Sequence, residues 1–447
     1  RNIGFSPIPA MSMVSHAAGA RYIELLGGVM TSFYDWYADL PVASPQVFGD
    51  QTDVPESGDW WDASYLMMWG SNIPVTRTPD SHFMVEARYR GTKVVVVSPD
   101  YADNTKFADE WLRISPGTDG ALAFAMGHVI LSEFHVGERT PYFLDYMRKY
   151  TDSPFLVELD DHGDGTCTPG KFLTAADRGD DALASTENAT HRLVVMQPDG
   201  SVVHPGGTVA DRYGADGEGR WNLRLDHADP VMSIADITDG TPASTAEVLF
   251  PRFDLDEEAS DATGTGPIGA GIVHRGVPVR TVNRRTVTTV FDLMLAHYAV
   301  PRPELDLPGD WPEDFHDARI VGTPAWQEEL TGVPVDAAVR IGREFARNAV
   351  ESGGRSQIIM GAGVNHYFHA DSIYRTFLAL TSMCGTQGVN GGGWAHYVGQ
   401  EKLRPMHGWS QNAFGLDWSR PPRQKLSTGI YYLATDQWRY DNTRASR

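Results

Sequence analysis

Four consecutive valines, Val94-Val95-Val96-Val97, limit what this chain can become more than any other feature. A strand apolar on both faces must be buried on both, which calls for a parallel sheet covered by helices. The flanking residues agree. Ser64-Tyr65-Leu66-Met67-Met68-Trp69 is an apolar run of strand length, broken by Gly70-Ser71-Asn72. Residues 79–90 read as a helix with Pro79 in its first turn. The valine run ends in the polar turn Ser98-Pro99-Asp100, and Trp111-Leu112 with Ile114 reads as another short strand. Pro116-Gly117-Thr118-Asp119-Gly120 then opens a long helix reaching about Phe134. Strand, polar loop, helix and strand in this order make a doubly wound α/β unit, whose ligands bind at the carboxyl ends of the strands.

Elsewhere the pattern is uneven. Residues 8–28 space their apolar side chains helically (Met11, Val14, Ala18, Tyr22, Leu25) and predict a buried helix stopping at Gly27-Gly28. From about 151 to 310 the α/β alternation degrades into acidic turns and short strands, such as Arg192-Leu193-Val194-Val195-Met196 and residues 277–282. This reads as a β-rich elaboration carried on the sheet. The alternation resumes at Thr323-Pro324-Ala325-Trp326. Residues 335–348 form a helix with a buried stripe (Val339, Ile341, Phe345, Ala346) and an arginine-rich outer face. Gln357-Ile358-Ile359-Met360 reads as a buried strand entering Gly361-Ala362-Gly363-Val364-Asn365-His366. A helix over 371–384 and the glycine-rich Gly388-Val389-Asn390-Gly391-Gly392-Gly393-Trp394 follow. The chain therefore holds two strand-to-glycine turns, at Gly70 and Gly361, enough to seat two phosphate-bearing ligands.

Composition excludes several classes. A net charge of -21 over 447 residues argues against binding a nucleic-acid backbone. Acidic clusters such as Asp254-Leu255-Asp256-Glu257-Glu258 and Asp177-Arg178-Gly179-Asp180-Asp181 fall in loop-like stretches and suggest a surface adapted to high salt. Cys167 and Cys384, the only cysteines, cannot by themselves make a zinc or iron–sulfur site, and Cys384 reads as a core residue. No apolar run reaches membrane-spanning length. A first residue Arg1 and an abrupt end at Arg447 lead to the expectation of a fragment of something longer.

Several places are candidates for chemistry. Phe33-Tyr34-Asp35-Trp36-Tyr37-Ala38-Asp39-Leu40-Pro41 sets two carboxylates four residues apart among aromatics. They suit a metal ligand or general base, and equally an aromatic edge with two surface aspartates. Gly264-Thr265-Gly266-Pro267-Ile268-Gly269 matches the dinucleotide fingerprint in letters but follows an acidic loop, and Pro267 lacks a needed N–H. Gly70-Ser71-Asn72 and Gly361-Ala362-Gly363 do follow strands, so their backbones can approach a pyrophosphate. Asp100 is placed for a ribose or base edge, or is a turn aspartate. His366 and His369 lack a third ligand at zinc spacing, so contact with an anionic or heterocyclic ligand is the better reading for His366.

Longer blocks then carry a resemblance. Gly4-Phe5-Ser6-Pro7-Ile8-Pro9-Ala10-Met11, Tyr34-Asp35-Trp36-Tyr37 with Asp39-Leu40-Pro41, and Gln51-Thr52-Asp53-Val54-Pro55-Glu56-Ser57 belong to it. So do Trp69-Gly70-Ser71-Asn72, Gly117-Thr118-Asp119, Gly363-Val364-Asn365-His366, and the run from Gly391 to Pro405. Together they resemble the catalytic alpha subunits of respiratory membrane-bound nitrate reductases, in the dimethyl sulfoxide reductase superfamily. The resemblance implies a molybdenum enzyme with a bis(molybdopterin guanine dinucleotide) cofactor, one dinucleotide per glycine turn. It makes Asp39 the molybdenum ligand, with Asp35 behind it, and sets His366 near the pterins, where it would take part in catalysis. The implied cofactor contacts are Trp69, Gly70, Ser71, Asn72, Ser98, Pro99, Asp100, Gly117, Thr118, Asp119, Gly361, Gly363, Asn365, His366, Gly393 and Trp394. The implied fold has two doubly wound dinucleotide-binding-like domains, with 41–335 inserted into 1–40 plus 336–447. The implied partners are nitrate, an iron–sulfur electron-transfer beta subunit and a membrane cytochrome b subunit, with no nucleic acid. The association with the membrane runs through those partners, outside the cell if the source is a halophilic archaeon and on the cytoplasmic side otherwise. The cysteine and histidine ligands of the family's [4Fe–4S] cluster are absent from this chain. Reduction of selenate, chlorate or perchlorate, and a metal-free structural homologue, are the alternatives.

Overall fold

The computed structural model describes residues 2–6, 18, 21–23, 25–27, 29–32, 43–48, 57–101, 103–179, 182–208, 210, 223–251 and 272–396. It divides the chain into two compact units. One comprises Arg1–Gly120, Ser352–Thr381 and Thr386–Arg447; the other comprises Ala121–Glu351 and Ser382–Gly385.

The first unit is built on a parallel sheet of five strands. Across the sheet they run Gly393–His396, Ser356–Met360, Tyr65–Trp69, Lys93–Ser98 and Glu110–Arg113. Alternation along these strands sorts the core. Leu66, Met68, Val94, Val96, Ile359 and Ala395 share one face with Trp60, Ile73, Met84 and Ala87. On the other face Trp69 packs on Phe377 at 4.5 Å between ring centroids, and Phe377 stacks on Trp394 at 6.0 Å. Burial on both faces is what the valine run requires. The helix Ser81–Tyr89 follows a single turn, Thr78–Asp80, that takes up Pro79. A separate parallel pair joins Ile3–Ser6 to Val29–Ser32.

Strands 65–113 and 356–396 pair in one parallel sheet, and the compact units divide near 120 and 352. A parallel strand carries no local sign of its partner, so sequence alone could not pair Tyr65–Trp69 with Ser356–Met360. The helical turn before Gly27 ends as expected, at φ +73°, but Tyr22, Leu25 and Leu26 are exposed, not buried.

The second unit holds a closed barrel of strands Ser244–Pro251, Ile272–Val282, Arg285–Thr289, Leu156–Asp161 and Thr166–Phe172. Thr166 and Cys167 close it by pairing in parallel with Glu247 and Val248. Val157, Leu159, Cys167, Val248, Phe250, Val277 and Val279 fill its interior with Leu293 and Ala296 from the helix Val290–His297. The stretch that reads as irregular in sequence is thus an organised barrel. The helix Asp119–Ile130 runs on into a π-helical turn, Leu131–Gly137. The helix Val335–Ser352 buries Val339, Ile341, Phe345 and Ala346, and its outer arginines pair with carboxylates: Arg343 with Glu133, and Arg347 with Glu138, both at 2.6 Å. Cys384 is buried, and burial drives its thiol pKa upward.

Candidate functional site

Strand order reverses between Tyr65–Trp69 and Ser356–Met360. From Tyr65 the chain steps outward through Lys93–Ser98 to Glu110–Arg113; from Ser356 it steps the other way to Gly393–His396. At such a reversal the carboxyl ends of the strands face a ligand crevice. Both glycine turns lie there, side by side. The Gly361 amide donates to the Trp69 carbonyl at 3.0 Å, and the Gly70 amide to the Val97 carbonyl at 3.2 Å. Gly70 has φ +57°, and a methyl group there would meet Val364 Cγ2 at 2.8 Å. A methyl group on Gly361 would overlap the Gly70 carbonyl and come within 2.6 Å of Ser71 Cα. Each turn is glycine partly because the other is in contact with it.

Around these turns stand polar groups with unfilled valences. Asp119, in the first turn of the helix Asp119–Ile130, is 4% exposed and accepts the Trp69 indole N–H on Oδ1 at 2.7 Å. Its Oδ2 has no hydrogen-bond partner among the described residues. Burial raises its pKa, opposed by the indole and by the backbone of Asp119 and Gly117. Asn72 heads the short helix Ile73–Thr76 without capping it, and its buried Oδ1 also lacks a donor. Asn365 is buried, contacts His396 Nε2 through Nδ2 at 3.2 Å, and leaves Oδ1 unmatched. Ser98 is buried and donates to the Asp100 carbonyl at 2.7 Å; Pro99 and Asp100 are exposed beside it. Gly117 turns at φ +85°, and Thr118 is half-buried, donating to the Ser115 carbonyl at 2.8 Å. Gly363 and His366 are exposed on the turn Ala362–His366.

Three of the residues expected here sit differently. The Trp69 side chain is fully buried and reaches the crevice through Asp119. Gly393 pairs with Gln357 at the amino end of the sheet, away from both turns, and Trp394 is buried against Phe377. The glycines before them serve packing: a methyl group on Gly391 would overlap the Asp62–Ala63 backbone, and one on Gly392 the Gly354 carbonyl. Sequence reasoning missed Tyr367. Its ring lies 4.0 Å from where a Gly117 methyl group would be, and burial first, then the Asp119 charge, raises the pKa of its phenol. The signal was an aromatic residue directly after His366. Arg77 pairs with Asp80 at 3.0 Å and lies over the Trp60 ring. Asp35, Asp39, the fingerprint at 264–269 and Arg404 lie outside the described residues.

The model of the molybdopterin oxidoreductase family matches residues 1–440. The chain belongs to this family. It is 59% identical, over its whole length, to the nitrate reductase alpha subunit of Mycobacterium tuberculosis, of which it covers 35%. It is 48% identical over 99% of its length to the nitrate reductase alpha chain of Bacillus subtilis, again covering 35%. At 29% identity over 92% of its length it also matches the perchlorate reductase subunit alpha of Dechloromonas aromatica, covering 37%. The chain thus spans about a third of the length of these relatives.

The crevice residues of this molybdopterin oxidoreductase chain suit the group that the family name implies. Pterin and guanine each present adjacent N–H donors on one edge. Among the described residues, Asp119 Oδ2, Asn365 Oδ1 and Asn72 Oδ1 are buried acceptors without donors at one end of one sheet. A buried acceptor left unmatched costs about 1–3 kcal/mol, so three together favour a ligand that donates. The Gly70 and Gly361 amides are taken by the Val97 and Trp69 carbonyls, so a phosphate oxygen would approach the backbone that follows each glycine.

Proposed function

We propose that this chain is the cofactor-binding part of the catalytic subunit of a respiratory nitrate reductase. The reading rests above all on end-to-end identity with nitrate reductase alpha subunits. The reaction is nitrate plus two electrons and two protons giving nitrite and water. Bound as a bis(molybdopterin guanine dinucleotide), molybdenum supplies oxygen-atom acceptance and two-electron redox chemistry.

Roles for the chain's own residues follow from their chemistry. The Asp39 carboxylate, a hard oxygen donor, holds the metal, and Asp35 orients the segment around it. The Gly70-Ser71-Asn72 and Gly361–Asn365 turns hold one dinucleotide each, their amides on the pyrophosphates. Asp119, Asn72 and Asn365 accept from the N–H edges of the heterocycles. Ser98, Pro99 and Asp100 meet ribose or base, with the exposed Asp100 carboxylate as the hydroxyl acceptor. His366, exposed on its turn, bonds to a pterin edge and steadies it. In the intact protein the subunit works with an iron–sulfur beta subunit and a membrane cytochrome b subunit, and carries its own [4Fe–4S] cluster on segments beyond this sequence. Membrane association then comes through partners; among the described residues no helix is long and apolar enough to cross a membrane.

The test is made on the intact complex. Molybdenum and guanine nucleotide should be present, and nitrate should be reduced with an artificial electron donor. Asp39→Ala should abolish that turnover, and near-normal activity in the variant refutes Asp39 as ligand. Similarity to a perchlorate reductase keeps a second reading specific: preference for perchlorate, chlorate or selenate over nitrate would move the assignment to it. A complex without molybdenum would point to a metal-free structural homologue.

A further inference from the structure

The loops at the carboxyl end of the sheet are linked by two aromatic side chains, the buried Trp69 and the half-buried Tyr367. Trp69 ends the strand that feeds the Gly70 turn, and its indole N–H donates to Asp119 Oδ1 at 2.7 Å, in the loop of Gly117. Tyr367 ends the Gly361 turn, and its ring lies against Gly117, with the phenol close enough to feel the Asp119 charge. Three loops distant in sequence therefore converge on one carboxylate and one glycine.

We propose that Trp69 and Tyr367 are positioning residues that fix the Gly70, Gly117 and Gly361 loops as one rigid cradle for the two dinucleotides. The proposal rests on the cofactor reading given above. Trp69 occupies one lone-pair side of Asp119, so Oδ2 is left as the acceptor with a single orientation. Tyr367 sets the spacing between the Gly117 loop and the Gly361 turn, because Gly117 has no side chain to fill that gap. A ligand spanning both turns then meets a preformed site and orders fewer loops on binding. Phe377 behind Trp69, at 4.5 Å, keeps the indole in plane for this bond.

The experiment uses the full-length subunit in its complex, carrying Trp69→Phe, Tyr367→Phe, Asp119→Asn, or Trp69→Phe with Asp119→Asn. Molybdenum and acid-released guanine nucleotide per subunit report retention, and melting temperature is read on loaded and cofactor-free protein. Asp119→Asn keeps an acceptor for the indole while turning the free position into a donor, so it serves even where Trp69→Phe folds poorly. Retention should fall several-fold in Trp69→Phe and Asp119→Asn and about two-fold in Tyr367→Phe. The double variant should lose less than the product of the two single losses, because both single changes act on the same Trp69–Asp119 contact. Conversely, retention unchanged in Trp69→Phe and Tyr367→Phe, or losses that simply add in the double variant, would overturn the proposal. So would an equal fall in melting temperature with and without cofactor, the mark of a merely structural role. A wild-type complex lacking molybdenum and pterin overturns the cofactor reading itself, and this inference with it.

Discussion

Asp119 and Asp292 are both buried carboxylates in the first turn of a helix, one in each compact unit, and their surroundings are opposite. Asp292 is saturated. Its Oδ1 accepts from Ser233 Oγ and Arg302 at 2.6 Å each, and its Oδ2 from the Ile234 amide at 2.8 Å and Thr289 Oγ1 at 2.9 Å. Every donor comes from the protein, so the group ties a loop, a helix start and a buried arginine together and has no capacity left. Asp119 has one side-chain donor and a vacant oxygen. Burial of a carboxylate is therefore not what marks a functional position; incomplete satisfaction is.

The largest effect that separates the two units should come with acid. In the barrel-containing unit His128 and His135 are buried and His297 is half-buried, and each is pushed down to about 4. Burial is the first cause for all three; the Arg275 charge adds to it at His128 and His297, and carbonyl bonds to Tyr298 and Met383 oppose it at His128 and His135. The unfolded chain takes up these protons below about pH 6.5 and the folded one only near 4. Stability is thus intact above 6.5 and lost as pH falls toward 4, by on the order of 3 kcal/mol per histidine. Asp119 runs the other way: its raised pKa means that lower pH relieves its burial cost. Limited proteolysis at pH 4.5 should cut first within 121–351, and preferential cutting of the sheet unit would break the contrast.

Next in size is the direct comparison of the carboxylates. Asp292→Ala strands the Arg302 charge with Ser233, Thr289 and the Ile234 amide, and should cost about 3–5 kcal/mol. Asp119→Ala in cofactor-free protein orphans the Trp69 indole and removes the contact with the Gly117 backbone but strands no buried cation, at about 1–3 kcal/mol, and the lost desolvation of its charge offsets part of that. Denaturant midpoints decide it. Equal losses would mean that Asp119 is as structural as Asp292.

How much of this contrast could be read in sequence depends on range. The valine run, the turn at Gly70, the turn at Gly361 and the stripe of 335–348 were legible because each is a local pattern with one physical meaning. Asp119 was picked out by its motif, but its state was not legible, since its partner Trp69 lies 50 residues away. The closed barrel was missed for the same reason. Its closing contact, Cys167 to Val248, joins segments with no shared local signal. The Asp292 hub was invisible: Ser233, Thr289 and Arg302 look like ordinary polar residues until the fold gathers them. Glycines misled in one place. Gly393 was expected at the cofactor, yet it lies at the amino end of the sheet, where close neighbours account for it and for Gly391 and Gly392.

That difference between glycines gives a smaller test. Gly361→Ala forces a methyl group onto the Gly70–Ser71 backbone and should cost about 1–3 kcal/mol by overpacking, with both turns displaced. Gly163→Ala, at the tip of the barrel hairpin, has open space around it and only a φ of +80° against it, so about 1 kcal/mol is expected. Melting curves of the two variants rank them. Gly361→Ala should in addition weaken cofactor retention, whereas Gly163→Ala should leave it alone.

The smallest effect expected is that of salt, and it follows from competing signs. Paired arginines on the helix Val335–Ser352, such as Arg343 with Glu133 and Arg347 with Glu138, are about half exposed and each contributes at most about 1 kcal/mol, which added salt weakens. Against them stands a net charge of -21, whose self-repulsion salt relieves everywhere at once. Each pair is local and weak while the repulsion is shared by the whole acidic surface, so the second term should win. Melting temperature should rise by a few degrees between about 0.05 and 1 M sodium chloride, where the screening length falls from above 10 Å to about 3 Å. Arg343→Ala should steepen that rise, because it removes a pair that salt would otherwise have weakened and adds to the net negative charge. A melting temperature that is flat or falls with salt would mean that the ion pairs, not the overall charge, set the surface electrostatics of this chain.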